Sequence, residues 1–215
     1  EYGRAKINQD KCVSCGMCLV SCPFGAIVDK GQIFQLIHAM KKGYKVIAIV
    51  APSFVGQFGD KLTPEKLTAA MKILGFDSVV EVAVGADLCT LDEAKEYLER
   101  VEEKKTYMGT SCCPAWISMV DICYPDQSEH ISMTLTPMVL TARMVKKQHP
   151  DAKVCFIGPC AAKKLEASRE NIRSDVDFVL TFEELQGMFE AKEVWYADVE
   201  GNDPLDQGTA DGRGF

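Results

Sequence analysis

KVIAIV, residues 45–50, is a short, β-branched and almost unbroken apolar run. That pattern suits a strand buried on both faces, as in a parallel sheet. SVVEVAV (78–84), KTYMG (105–109), KVCFIG (153–158) and VDFVLT (176–181) repeat the style. Helical patterns lie between them. In TPEKLTAAMKILG (63–75), Thr63 is an N-cap candidate, Pro64 takes the first helical position and Gly75 stands just past the end. Leu67, Ala70, Met71 and Leu74 make one apolar face. TLDEAKEYLERVEEKK (90–105) opens with a capping-box pair, Thr90 and Glu93, with Leu91, Ala94, Leu98 and Val101 as its expected inner stripe. TPMVLTARMVKKQHP (136–150) repeats the Thr-Pro opening, and TFEELQGMFEAK (181–192) carries a second capping box, Thr181 and Glu184. This alternation predicts an α/β fold, a mainly parallel sheet with flanking helices.

Outside that pattern lies the N-terminal stretch. CVSCGMCLVSCPFGAI (12–27) is compact and cysteine-rich. We therefore divide the chain into a small segment, 1–30, and a larger α/β domain, 31–215. A length of 215 residues suffices for one large domain with an appendage. The tail EGNDPLDQGTADGRGF (200–215) reads as a loop cut short. The net charge of −7 argues against a nucleic-acid partner. No apolar run reaches the roughly 18 residues of a spanning helix, and no secretory signal is present, so a cytoplasmic protein without membrane contact is expected. The chain opens on Glu1 rather than Met, and we expect sequence to precede it.

Ten cysteines in a chain with ordinary helix and strand patterns point to metal rather than to a disulfide scaffold. Cys12-x2-Cys15-x2-Cys18-x3-Cys22-Pro23 has the spacing of a bacterial ferredoxin run for a [4Fe–4S] cluster. A zinc site or unrelated buried thiols is the plainer alternative. In two-cluster ferredoxins the fourth cysteine of such a run serves the other cluster. Cys22 therefore either closes its own cluster or belongs with a run upstream of Glu1. GTSCCPAW (109–116) and FIGPCAAKKLE (156–166) each set a cysteine beside a proline at the end of an expected strand. The carboxyl ends of parallel strands are where such folds bind ligands, so Cys113 and Cys160 could face one site. Taken singly, these thiols also suit structural core positions, as do Cys89, Cys123 and above all the mid-strand Cys155.

Together, the ferredoxin run, TSCCPAW (110–116) and GPCAAKKLE (158–166) resemble the signatures of [FeFe]-hydrogenases, and APSF (51–54) and GADL (85–88) are similar to further segments of that family. The resemblance covers nearly the whole chain. It implies the first half of the iron-hydrogenase catalytic domain, preceded by a ferredoxin-like segment. It also implies the reaction 2H⁺ + 2e⁻ ⇌ H₂, with ferredoxin or another redox carrier as electron partner. The family's centre joins a [4Fe–4S] cluster to a two-iron subcluster bearing CO, cyanide and a dithiolate bridge. By resemblance, Cys113 and Cys160 are two of the four cluster ligands, and Cys112 is the free thiol that passes protons to the bridging amine. Lys163 and Ser53 would donate to the two cyanides. Glu166 and Ser132 match relay positions toward solvent, with a surface acid near Asp92. Each has a plain reading too: Lys163 and Glu166 as a solvated helix face, Ser132 as a loop hydroxyl, Asp92 as a first-turn helix acid.

Three departures bear on activity. Gly158 stands where the family usually has Met, as in its sensory branch. Met138 sits where more active members carry a polar side chain. The third cysteine signature, which supplies the remaining cluster ligands, is absent before Phe215; we expect it beyond, and expect this fragment alone to be inactive and to self-associate through a truncated apolar face. A non-catalytic hydrogenase-like protein for redox or hydrogen sensing, or for cluster assembly, is the competing reading.

Overall fold

The computed structural model describes residues 6–59, 61–102, 107–195, 198–201 and 205. The first segment contains a 3-10 turn (Gln9–Lys11) and one α-helical turn, α1 (Met17–Val20), and leads into α2 (Ile33–Lys41). There follow β1 (Val46–Val50), α3 (Pro64–Leu74), β2 (Ser78–Glu81), α4 (Ala83–Glu102), α5 (Pro114–Cys123), α6 (Pro137–Gln148), β3 (Lys153–Gly158), α7 (Ala162–Ser168), β4 (Phe178–Thr181) and α8 (Phe182–Ala191). The strands form one parallel sheet in the order β2-β1-β3-β4.

All five residues of β1 are buried, and the core around it includes Leu36, Leu67, Met71, Val139, Leu185 and Phe189. Burying each such side chain stabilises the fold by about 1.5–3 kcal/mol before entropy is charged against it. Two aspartates start the central strands. The backbone N–H of Val46 donates to Asp77 Oδ2 at 2.7 Å, and that of Val154 to Asp177 Oδ2 at 2.9 Å. Each aspartate precedes the neighbouring strand, so strand pairing and N–H satisfaction arrive together. On the β4 edge, the Val179 N–H donates to Gln32 Oε1 at 2.7 Å, which ties the N-terminal segment to the sheet.

The helix ends follow their residues. Thr63 Oγ1 accepts the Lys66 N–H, and Gly75 closes α3 at φ 108, a left-handed conformation that favours glycine. Thr181 and Glu184 make a full capping box on α8. Thr136 heads α6 without capping it, because its hydroxyl is used elsewhere.

Four local expectations are corrected. The strand expected over 78–84 stops at Glu81, and α4 starts at Ala83. Thr90 is therefore inside a helix, donating to the Ala86 carbonyl at 2.9 Å instead of capping. The expected inner stripe of α4 faces outward: Leu91 and Leu98 are 67% and 65% exposed, and the Val101 side chain lies outside the described residues. The buried face carries Ala83, Ala86, Cys89 and Glu93 instead. Of KTYMG, 105–106 lie outside the described residues and the rest forms no strand; Gly109 makes a single bridge to Ile131. Residues 202–204 and 206–215 of the expected tail loop also lie outside the described residues. Among the described residues no helix is long and apolar enough to cross a membrane.

Candidate functional site

β1 has β2 on one side and β3 on the other, so the chain reverses its winding direction between β1 and β3. Open parallel sheets bind ligands in the crevice at the carboxyl ends of such a strand pair. The two ends are joined here by the Ala51 N–H donating to the Ile157 carbonyl at 2.8 Å. The loops they release, Ala51–Pro52–Ser53 and Pro159–Cys160, wall a cavity of about 250 Å³. Cys112 and Cys113, Met138 at the start of α6, and Lys163 of α7 complete much of the wall. Ser53, Cys112, Cys113, Cys160 and Lys163 thus come from separate segments to one space.

The neighbouring thiols are treated differently by the backbone. Cys113 is the N-cap of α5, its Sγ accepting the Trp116 N–H at 3.4 Å. Cys112 stands outside the helix, its Sγ 3.7 Å from Thr110 Oγ1. Lys163, whose side chain is 12% exposed, donates to the Cys112 carbonyl at 2.9 Å and to Glu166 Oε2 at 2.8 Å. Glu166 is 1% exposed and also accepts from Thr136 Oγ1 at 2.7 Å. Lysine and glutamate form a buried pair on α7, not a solvated face.

Ser132 and Glu166, expected in one relay, are apart in their bonding. Ser132 Oγ donates to Glu96 Oε2 at 2.5 Å, and Arg100 holds the other oxygen at 2.6 Å. Burial raises the Glu96 pKa, but hydrogen bonds from Ser132 and Arg100 outweigh it and hold the carboxyl below its ordinary value. Asp92, placed near the relay by sequence, is exposed on α4. The inward acid is its neighbour Glu93, 6% exposed, whose Oε1 accepts the backbone N–H of Ser111 at 2.9 Å and its hydroxyl at 3.2 Å. Glu93 and Glu96 share a helix face at spacing three, one reaching the residue before Cys112 and the other reaching Ser132. Sequence reading assigned Glu93 to a cap and passed over Glu96. The signal was the spacing Glu93, Glu96, Arg100. Cys89, beneath them, is pushed up to about 12 by burial and then by Glu93, so it stays a neutral thiol.

Gly158 has a structural counterpart in Phe156. A Cβ on Gly158 would come within 2.6 Å of the Phe156 ring, so that ring occupies the space of a side chain at 158. Phe156 and the 1%-exposed Met138 both border the cavity.

A second, larger cleft, about 980 Å³, is lined by Cys12, Cys15 and Cys18 at the junction of the N-terminal segment with α7. Ser14 (φ 58) and Gly16 (φ 79) curl this loop through left-handed backbone. Cys22 is not part of that lining; its thiol pKa is lowered, foremost by the Ala26 N–H, whose nitrogen is 3.4 Å from Sγ. Among the described residues no three His, Cys, Asp or Glu side chains stand close enough to share one metal ion, so the thiols border a space rather than meet at a point. Thiols of this number, three around one cleft and a fourth whose pKa is lowered, are the donor chemistry of an iron–sulfur cluster. Of the remaining cysteines, Cys155 is buried in β3 and Cys123 is exposed at the end of α5.

Comparison with known proteins bears on both cavities. The family model for the iron-only hydrogenase large subunit, C-terminal domain, matches residues 44–215, and that for a 4Fe-4S binding domain matches residues 5–28. The NADP-reducing hydrogenase subunit of Solidesulfovibrio fructosivorans is 29% identical over 89% of this chain and 37% of its own length. The cytosolic iron-sulfur assembly component 3 of Bos taurus is 28% identical over 92% of this chain and 48% of its own length. A solved apo [FeFe]-hydrogenase from Chlamydomonas reinhardtii superposes with a TM-score of 0.74 at 26% identity, over 86% of this chain and 54% of that one. The chain thus spans between about a third and a half of the length of these relatives.

Proposed function

Because the chain belongs to the iron-only hydrogenase large-subunit family, we propose that its 250 Å³ cavity is the thiol- and proton-handling wall of a centre that interconverts protons and hydrogen, 2H⁺ + 2e⁻ ⇌ H₂. Cys113 and Cys160 would be two of the four ligands of a [4Fe–4S] cluster there, and Lys163 and Ser53 would donate to anionic ligands of a two-iron unit, a point cation suiting such a ligand. Those iron groups supply the redox chemistry when bound.

The chain's own side chains supply positioning and protons. Glu166 fixes the Lys163 ammonium at the cavity wall, and on this reading it acts as a positioning residue. Cys112 carries the proton at its Sγ. Glu93, Ser132 and Glu96 form the route outward, with Arg100 anchoring the outer acid; waters bridging the steps not directly bonded complete it. Cys12, Cys15 and Cys18 would hold the cluster that takes electrons from ferredoxin or a similar carrier.

The observation that carries this reading is the convergence of Ser53, Cys112, Cys113, Cys160 and Lys163 on one small cavity at the β1–β3 crossover. The test is anaerobic loading of the protein, in its complete reading frame, with iron, sulfide and a synthetic two-iron complex, followed by hydrogen assays in both directions. Turnover that falls on Cys112→Ser supports it; a fully loaded protein with no turnover in either direction overturns it. One observation favours a second reading, a non-catalytic role in sensing or cluster assembly. The Gly158–Phe156 pair and Met138 present the cavity with an apolar wall, which suits holding a group better than turning it over.

A further inference from the structure

The two cavities lie on either side of α7 and the loop that leads into it, and consecutive residues there serve opposite cavities. Cys160 borders the small cavity and Ala161 the large cleft; Lys163 borders the small cavity and Lys164 the large cleft. Lys163 has a role above. Lys164 has none yet, although its side chain is only 10% exposed.

Its ammonium joins three parts of the molecule. Lys164 Nζ lies 2.5 Å from Asp29 Oδ2 in the N-terminal segment and 2.7 Å from Glu184 Oε2 on α8. Asp29 is itself part of the cleft lining. Glu184 is already engaged, accepting the Thr181 N–H in the capping box, so it offers a fixed rather than a wandering charge. The junction is tight: a Cβ on Gly31 would sit 3.1 Å from Glu184 Oε1. One residue further on, Gln32 takes the Val179 N–H of β4. A largely buried cation between two carboxylates, with one carboxylate and the cation both facing the cleft, fixes the segment and contributes, with Lys11 and Lys30 of the same lining, to the charge that the cleft presents.

We propose that Lys164 is the positioning and charge-setting residue of the N-terminal cluster: it latches residues 12–29 onto α7 and α8, and by compensating Asp29 it keeps the cluster easier to reduce. Net charge and exposure are among the properties that set iron–sulfur potentials. Without Lys164, Asp29 and Glu184 repel one another and an uncompensated carboxylate faces the cluster, which disfavours the added electron. This rests on the electron-transfer reading of that segment.

The experiment uses the full chain, reconstituted anaerobically with ferrous iron and sulfide and reduced by dithionite during an EPR-monitored redox titration. Lys164→Gln should shift the midpoint to lower potential, so that the reduced-to-oxidised ratio at a fixed potential falls several-fold. It should also speed amide exchange at Val179 and around Asp29. Lys164→Arg should restore both. Adding Asp29→Asn to Lys164→Gln should restore the midpoint but not the exchange protection, a separation that a merely structural lysine would not give. Should Lys164→Gln fail to load, Asp29→Asn alone carries the test, with a rise in midpoint expected. A wild-type chain that takes up no cluster defeats the electron-transfer reading and this proposal with it. A loaded chain whose midpoint moves in none of these variants defeats this proposal alone.

Discussion

Ser132 and Glu96, 36 residues apart in sequence, meet at 2.5 Å, hydroxyl to carboxylate. The contact locks the loop ahead of α6 to the outward half of α4. Arg100 reinforces it by donating to Glu96 and to the carbonyl of Ile131 at 2.8 Å.

Since the folded-state pKa of Glu96 lies below its ordinary value, its contribution to stability is present above the unfolded carboxylate pKa of about 4.3 and is lost as pH falls through the lower, folded value. Glu96→Gln should cost about 1–3 kcal/mol at neutral pH. The gap between the two proteins should narrow in acid. Chemical denaturation at neutral pH and at successively lower pH reads both effects; a constant gap would refute the assignment.

The Lys163–Glu166 pair is buried, so removing one partner leaves a charge without its counterpart. Lys163→Met or Glu166→Gln should each destabilise by about 3–5 kcal/mol. The double substitution should cost much less than the sum of the two. A double-mutant cycle measured by urea unfolding gives the coupling; additive losses would mean that the pair is not a unit.

Cys112 and Cys113 should separate chemically. Serine is itself a good N-cap, so Cys113→Ser preserves the start of α5 while removing a thiolate, and a loss of iron with unchanged helicity is expected. Cys112→Ser should leave iron content unchanged and lower hydrogen turnover by about 10²–10⁴-fold, the usual range for a lost proton-transfer group. Iron analysis and circular dichroism on the same samples decide the first; equal loss of iron in both variants would remove the proposed role of Cys112.

Gly158→Met should be destabilising by about 1–3 kcal/mol as an overpacked site, because its Cβ alone approaches the Phe156 ring to 2.6 Å. Phe156→Ala costs stability alone, yet should partly rescue Gly158→Met. Thermal unfolding of the four proteins checks this. If Gly158→Met is neutral in the wild-type background, the two side chains do not compete for one space.

The parallel sheet was legible because the buried strands 46–50 and 153–158 are written in apolar residues, and α3 and α8 because their caps are local. α4 was misread for a physical reason. Its inward face carries Glu93, Glu96 and Arg100, while Leu91 and Leu98 face solvent, so a hydropathy stripe assigns the helix the wrong way round. The cysteine, lysine and serine positions of the cavity came from motifs. Glu93 did not, because Thr90 three residues before it imitates a capping box that the helix, starting seven residues earlier at Ala83, never uses.

The register between β1 and β3, Val46 opposite Lys153 through Val50 opposite Ile157, makes the length of each strand a caliper. Inserting one residue anywhere between Lys153 and Gly158 would carry Pro159 and Cys160 forward by about 3.3 Å and turn the side chains beyond the insertion to the opposite face of the sheet. Ser53, set by β1, would stay where it is. This buried strand should therefore accept only apolar exchanges of similar volume and no change of residue count, while the exposed turn at 173–174 can lengthen without moving the cavity.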